Sequence, residues 1–116
     1  MANQIAIATN MIGVCESLVY AKKAGLDEQK VFDTISTGAA GSFSLSSYGP
    51  RILNGDYSPG FFIKHFIKDM RIALEEAEKM GIDFPGLALA KKMYEKLAQE
   101  GEEDSGTQAL IKYWDW

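Results

Sequence analysis

Cysteine is almost absent. Cys15 stands alone among 116 residues, so no intramolecular disulfide can form and no thiolate metal cluster can be built. Histidine is as scarce, His65 being the only one, which argues against a zinc centre. A chain of this kind suits a reducing, cytoplasmic compartment. A basic surplus is also missing: the formal net charge is −4, which argues against nucleic acid, whose phosphates demand a positive surface. The start, Met1-Ala2-Asn3-Gln4-Ile5, lacks the basic opening of a signal peptide, and its amides interrupt a membrane-spanning reading. Neither nucleic acid nor membrane is therefore expected as a partner. No alternation of apolar and polar residues marks a strand. Catalytic signatures are missing too, with no G-x-G-x-x-G, no P-loop, no Ser/His/Asp spacing and no metal cluster.

What is present is helical patterning. The apolar fraction of 47% and the length fit one globular domain. From about Ala2 to Ala24 the first charge is Glu16, and Ile5, Ala8, Met11, Ile12, Cys15, Leu18 and Val19 recur at helical spacing. Ile7, Val14 and Tyr20 widen that stripe, which predicts a core helix buried on several sides. Gly25 is placed to end it, with Lys22 and Lys23 in the last turn. No Ser, Thr, Asp or Asn caps its start, which points to a lost upstream partner.

Asp27 is expected to cap a short second helix with Val31, Phe32 and Ile35 facing inward. Ser42 is expected to start a third, through Phe43, Leu45 and Tyr48, stopped by Gly49-Pro50. The clearest helix runs from about Phe62 to Met80, with Ile63, Phe66, Ile67, Met70, Ala73, Leu74 and Ala77 inward and Gly81 at its end. Pro85 opens another, facing Leu87, Ala90, Met93, Tyr94 and Leu97 inward as far as Gly101. Ser105 or Asp104 is expected to cap a final short helix carrying Leu110, Tyr113 and Trp114. The fold class is all-α, a multi-helix bundle round a long apolar N-terminal helix.

Few residues offer chemistry. Gly38-Ala39-Ala40-Gly41-Ser42 follows a helix instead of a strand, so it is no dinucleotide fingerprint. It is either a connector or a loop whose amides and Ser42 touch a ligand. Lys64, Lys68 and Arg71 share one face of the long helix. They form either a solvated face, with Glu75 pairing Arg71, or a positive strip for a carboxylate or phosphate. Asn3 and Gln4, at the start of the core helix, can orient a polar ligand or merely satisfy backbone there. His65 reads as a surface or interhelical residue, and Trp114 and Trp116 as docking aromatics.

Two stretches carry a resemblance. Asn3-Gln4, followed by Ile5 through Gly25, resembles the helix after the catalytic lysine in the 3-hydroxyisobutyrate dehydrogenase family, where a K-x-x-N pattern precedes it. Pro59-Gly60-Phe61-Phe62 through Lys68-Asp69 resembles that family's P-G-F…K-D segment. Gly38 to Ser42 and Asp104 to Leu110 are similar to the tartronate semialdehyde (2-hydroxy-3-oxopropionate) reductase branch, and Gln4 in place of a second asparagine leans the same way. The likeness runs from Met1 to Trp116 and implies a C-terminal domain like that of 6-phosphogluconate dehydrogenase.

The resemblance implies that residues 1–116 are one helical substrate and dimerisation domain, without the N-terminal Rossmann domain. The family's catalytic lysine would fall one position before Met1, so no catalytic residue is expected here and the isolated fragment should be inactive. By the match, Asn3 and Gln4 bind substrate and Lys68 lies on the cofactor side, with Asp69 fixing local packing. The full enzyme would use NAD or NADP, none of it expected on this fragment, to interconvert a small hydroxy acid and its semialdehyde as a dimer or tetramer. Two other readings stand beside it. One is a stand-alone helical oligomerisation module. The other is a small bundle binding anions through the Lys64, Lys68 and Arg71 strip.

Overall fold

The computed structural model describes residues 1–116 and contains helices α1 (Ala2–Lys23), α2 (Glu28–Ile35), α3 (Phe43–Leu53), α4 (Ile63–Lys79) and α5 (Pro85–Leu97). A wide π-helical turn (Ala98–Glu102) and a terminal 3-10 helix (Thr107–Tyr113) follow. The only strand-like feature is an isolated antiparallel bridge between Phe62 and Gly106. The all-α expectation therefore holds.

α1 is the spine of the bundle. It touches α2, α3, α4, α5 and the terminal helix, and it buries Ala8, Met11, Val14, Cys15, Leu18 and Ala21 along one flank. Ala8 and Ala21 are fully buried. At Gly86 of α5 a Cβ would stand 2.8 Å from the Thr9 methyl. Burial pushes the Cys15 thiol up, so it is a packed apolar group and not a nucleophile.

The expectation of burial on several sides is not met within this chain. Ala2, Ala6, Thr9, Gly13 and Tyr20 are exposed, and Ile5, Ile7, Ile12 and Val19 are only half-buried. The reason is geometric, because the other elements cover one flank and leave the opposite one open. By length and composition α1 is also apolar enough to cross a membrane, although core helices pass the same test.

Local signals account for most boundaries. Asp27 accepts a hydrogen bond from the Lys30 amide, and Ser42 from the Leu45 amide, each a helix N-cap as expected. Gly25 and Gly81 adopt positive φ just beyond helix ends, whereas α5 ends at Leu97, short of the expected Gly101, whose positive φ lies inside the π-helical turn that follows. Gly49-Pro50, however, does not stop α3, which continues to Leu53. Pro50 forfeits only a bond to the carbonyl of Ser46, an exposed residue whose carbonyl can meet water. Gly49 serves packing, since a Cβ there would lie 2.5 Å from the Phe32 ring.

The chain's end also departs from expectation. Neither Ser105 nor Asp104 caps the last helix; Gly106 precedes it without a side-chain cap. Ser105 donates to Glu102 at 2.7 Å, and Asp104 pairs with Lys64 at 2.7 Å. Leu110 is buried, whereas Tyr113 is exposed.

This terminal segment clamps the loop that leads into α4. The Gly106 amide donates to the Tyr57 carbonyl (2.8 Å) and the Thr107 amide to Phe61 (3.1 Å). In return, the Ile63 and Lys64 amides donate to the Ser105 and Glu103 carbonyls at 2.9 and 3.0 Å. Buried Gln108 donates through Nε2 to the carbonyls of Asp56 (3.1 Å) and Ser58 (2.8 Å). Tyr94, fully buried on α5 and edge-on to Phe66, donates its hydroxyl to the Thr107 carbonyl at 2.9 Å. Replacing Tyr94 with Phe keeps the ring and removes that hydrogen bond, so a loss of about 1 kcal/mol is expected. A urea titration would read it as a lower midpoint at constant slope.

Candidate functional site

The first turn of α1 meets α4 through a directed chain of hydrogen bonds. Gln4 Nε2 donates to Asp69 Oδ2 at 3.0 Å, and Asn3 Nδ2 donates to Gln4 Oε1 at 2.8 Å. The direction follows from chemistry. An ionised carboxylate only accepts, so Gln4 must turn its NH2 towards Asp69 and its oxygen towards Asn3. Asn3 spends an N–H on that oxygen and keeps its own carbonyl free. Asn3 is exposed and its side-chain oxygen has no partner within the chain, so one amide acceptor stays open to solvent. The sequence singled out Asn3 and Gln4, and the structure joins them. The partner it could not supply is Asp69, 65 positions from Gln4.

Lys68 precedes Asp69 on α4. Its neighbours in the row are engaged: Lys64 with Asp104 at 2.7 Å and Arg71 with Glu75 at 3.9 Å. Lys68 has no such pair within the chain and is exposed, so the row is not a uniform positive strip. Exposed pairs of this kind contribute little to stability. Their effect here is to leave Lys68 as the unpaired cation beside the amide chain in sequence.

The remaining candidates resolve otherwise. Ser42 is committed to capping α3, and Gly41 fits a tight turn in which a Cβ would meet the Ser36 carbonyl at 2.6 Å. The glycine-rich stretch thus behaves as a connector. His65 is exposed, with the Phe61 and Phe62 rings at centroid distances of 6.4 and 5.4 Å. Trp114 and Trp116 pack partly against their own core, and Lys22 lies over the Trp116 ring at 4.4 Å while bonding its carbonyl. They are folded back, not held out for docking. No group of His, Cys, Asp or Glu side chains gathers as a metal site.

Beneath Gln4 lies a partly enclosed recess of about 180 Å³. Ile7, Met11, Phe61 and Phe66 supply apolar wall, and Ser44, Tyr48 and Thr107 bring hydroxyls. Sequence reading took Tyr48 only as a helix residue and passed over Ser44 and Thr107, because the three come from two distant segments and belong to no local motif.

A family model described as NAD-binding of NADP-dependent 3-hydroxyisobutyrate dehydrogenase matches residues 1–114. An uncharacterized oxidoreductase of Bacillus subtilis, YkwC, is 61% identical over 98% of this chain and 40% of its own length. A probable 3-hydroxyisobutyrate dehydrogenase-like protein of Arabidopsis thaliana, named as mitochondrial, is 55% identical over 96% of this chain and 33% of its own. The 2-hydroxy-3-oxopropionate reductase of Escherichia coli K12 is 32% identical over 97% of this chain and 38% of its own. The chain thus spans 33–40% of the length of these relatives. Among solved structures, the Mycobacterium tuberculosis 3-hydroxyisobutyrate dehydrogenase with L-serine superposes with a TM-score of 0.87 at 26% identity, covering 96% of this chain and 40% of that one. The Salmonella typhimurium 3-hydroxyisobutyrate dehydrogenase gives a TM-score of 0.91 at 20% identity, covering 97% of this chain and 40% of that one; that likeness speaks for the fold alone.

Proposed function

The chain belongs to the 3-hydroxyisobutyrate dehydrogenase family, and from that membership we propose that residues 1–116 form the helical part of an NAD(P)-dependent oxidoreductase acting on a small hydroxy acid and its semialdehyde. The branch ranges between the 3-hydroxyisobutyrate and the 2-hydroxy-3-oxopropionate types. The observation that carries the reading is the Asn3–Gln4–Asp69 chain, which holds one amide acceptor towards solvent. An oriented carbonyl of this kind suits a substrate hydroxyl, the group that a hydride-transfer reaction creates or consumes.

The residues present fit the edge of a dinucleotide site. Lys68 is a free cation with no partner to surrender, while nothing in the chain forms a phosphate-cradling glycine turn. When bound, the nicotinamide supplies or takes the hydride. Asn3 orients the substrate oxygen, Gln4 and Asp69 keep Asn3 from rotating, and Lys68 holds the cofactor side. The acid for the carbonyl oxygen must come from elsewhere in the full protein. Asn3 and Gln4 are neutral amides, and Asp69 is engaged as an acceptor. A lysine immediately upstream of Met1 and an N-terminal Rossmann domain fill those roles in this proposal.

The open flank of α1 supports a further part of it. Exposed Ala2, Ala6 and Tyr20, with half-buried Ile5 and Ile12, leave apolar surface for an upstream domain and a second subunit, hence a dimer or tetramer. The lone buried thiol suits the cytoplasm as its compartment.

The test uses the full-length protein with NAD and NADP against 3-hydroxyisobutyrate and 2-hydroxy-3-oxopropionate, followed by nicotinamide absorbance. Lys68→Ala is expected to raise the cofactor KM about tenfold, equivalent to ~1.4 kcal/mol, with Lys68→Arg recovering much of it. An unaltered cofactor KM in Lys68→Ala would remove Lys68 from the site.

A further inference from the structure

The outer side of α5 leaves apolar surface in water. An open groove of about 500 Å³ runs between α4 and α5, lined by Leu74 of α4 and by Pro85, Ala88 and Leu89 of α5. Leu89 is 52% exposed at its edge, and Met80 and Ile82, in the turn before α5, are 62% and 48% exposed. Single exposed apolar residues are ordinary, but three around one turn and its groove mark a contact surface. No residue of α1 lines the groove, so it is separate from the open flank of α1.

The charges at the groove narrow the choice of occupant. Lys91 and Glu95 pair with each other at 2.9 Å. Asp83 and Lys92 also line it, both exposed, and neither has an ion pair within the chain. A partner of one charge sign, such as nucleic acid or an acidic peptide, would attract one of them and oppose the other. A small ligand would stay largely in solvent, since the groove is open.

A second copy meets both charges at once. Pro85, Ala88, Leu89 and Lys92 recur on one face of α5 at helical spacing. Ala88 lies five residues after Asp83 and four before Lys92. A twofold axis passing near Ala88 lays two copies of α5 antiparallel, so that Asp83 of each faces Lys92 of the other. The same rotation sets the Leu89 ridge of each copy over the groove of the other.

We propose that two copies of this chain pair through the α4–α5 groove about a twofold axis near Ala88, with Leu89 exchanged between grooves and Asp83 paired to Lys92 across the axis. The pairing does not rest on the dehydrogenase reading. It names a face for a second subunit that uses no part of α1.

The test is sedimentation velocity of the full-length protein over a dilution series. The parent is expected to self-associate, and Asp83→Lys or Lys92→Asp alone to weaken one association step by about tenfold or more, each placing like charges together twice. Combining the two should restore that step to within about threefold of the parent, because the charges are exchanged and not removed. Leu89→Arg should weaken the same step by about tenfold or more, through loss of the central apolar contact. All three sites are exposed, so far-ultraviolet circular dichroism should stay that of the parent. A monomeric parent overturns the pairing, as does association indifferent to all three single variants. The groove then belongs to the upstream domain or to a different protein. Single variants that dissociate without rescue by the exchanged pair overturn it too. Turnover of hydroxy acids is read on the same samples: its absence defeats the dehydrogenase reading alone, while the pairing stands or falls by mass.

Discussion

Replacing Gly106 with alanine is expected to destabilise the fold by about 2–4 kcal/mol, although its φ of −69° suits any residue. The added methyl carbon would stand 2.2 Å from Gln108 Oε1 and 2.8 Å from the Ser58 carbonyl. Backbone cannot yield cheaply, so the Gln108 amide must turn away. It then releases the carbonyls of Asp56 and Ser58, which it now holds at 3.1 and 2.8 Å. Overpacking and two stranded acceptors thus add in the same direction. Gly13→Ala provides the contrast. No atom lies within 4 Å of a Cβ at Gly13, which sits in the interior of α1. There alanine should stabilise by roughly 0.5–1 kcal/mol through helix propensity. Urea midpoints for the two variants should therefore move in opposite directions, and a Gly106→Ala midpoint equal to that of the parent would refute the clamp.

Much of this architecture was legible because local rules governed it. Asp27 and Ser42 cap, Gly25 and Gly81 terminate, and the Ile63-to-Ala77 stripe faces the core, each for reasons contained in a few neighbouring residues. The reading failed where distant packing decided. Gly49-Pro50 resembled a stop, but Phe32 needed the space above Gly49 and the bond lost at Pro50 lies on a solvated side. Ser105 resembled a cap, yet its hydroxyl is drawn to Glu102, which Lys112 also engages at 3.1 Å. α1 shows a subtler limit. Its all-round apolar pattern reported the number of surfaces it can bury, and this chain covers only one flank.

The site divides along the same line. Asn3, Gln4 and Lys68 were identifiable from their neighbourhoods and from resemblance, but their arrangement depends on α1 and α4 meeting. Nothing near Gln4 in sequence announces Asp69, and nothing near Ser44 announces Thr107. Adjacent polar side chains, Asn3 and Gln4, opening an otherwise apolar helix were the available signal. Its meaning is set by the group across the helix interface.

That contact carries the largest functional consequence. In the full-length enzyme, Asp69→Leu is expected to lower kcat/KM for the hydroxy acid about 100-fold, the scale of a catalytic group misplaced by roughly an ångström. Leucine cannot accept from Gln4 Nε2, now 3.0 Å from the Asp69 carboxylate. Gln4 is then free to reverse its amide, and a reversed Gln4 presents NH2 to Asn3, forcing Asn3 to answer with its carbonyl. The outward acceptor becomes an outward donor, facing the substrate hydroxyl with the wrong polarity. Asp69→Asn should lose less, within about tenfold, because an amide oxygen still accepts from Gln4 and preserves the direction of the chain. A merely structural role would behave otherwise: both variants would lose stability in parallel, and the cofactor KM would drift with the substrate KM. Here the loss should fall on the substrate side, with the urea midpoint shifted by less than about 1 kcal/mol, as expected for a half-exposed hydrogen bond. Full activity in Asp69→Leu would show that Asn3 needs no such support, and the oriented-acceptor reading would fall with it.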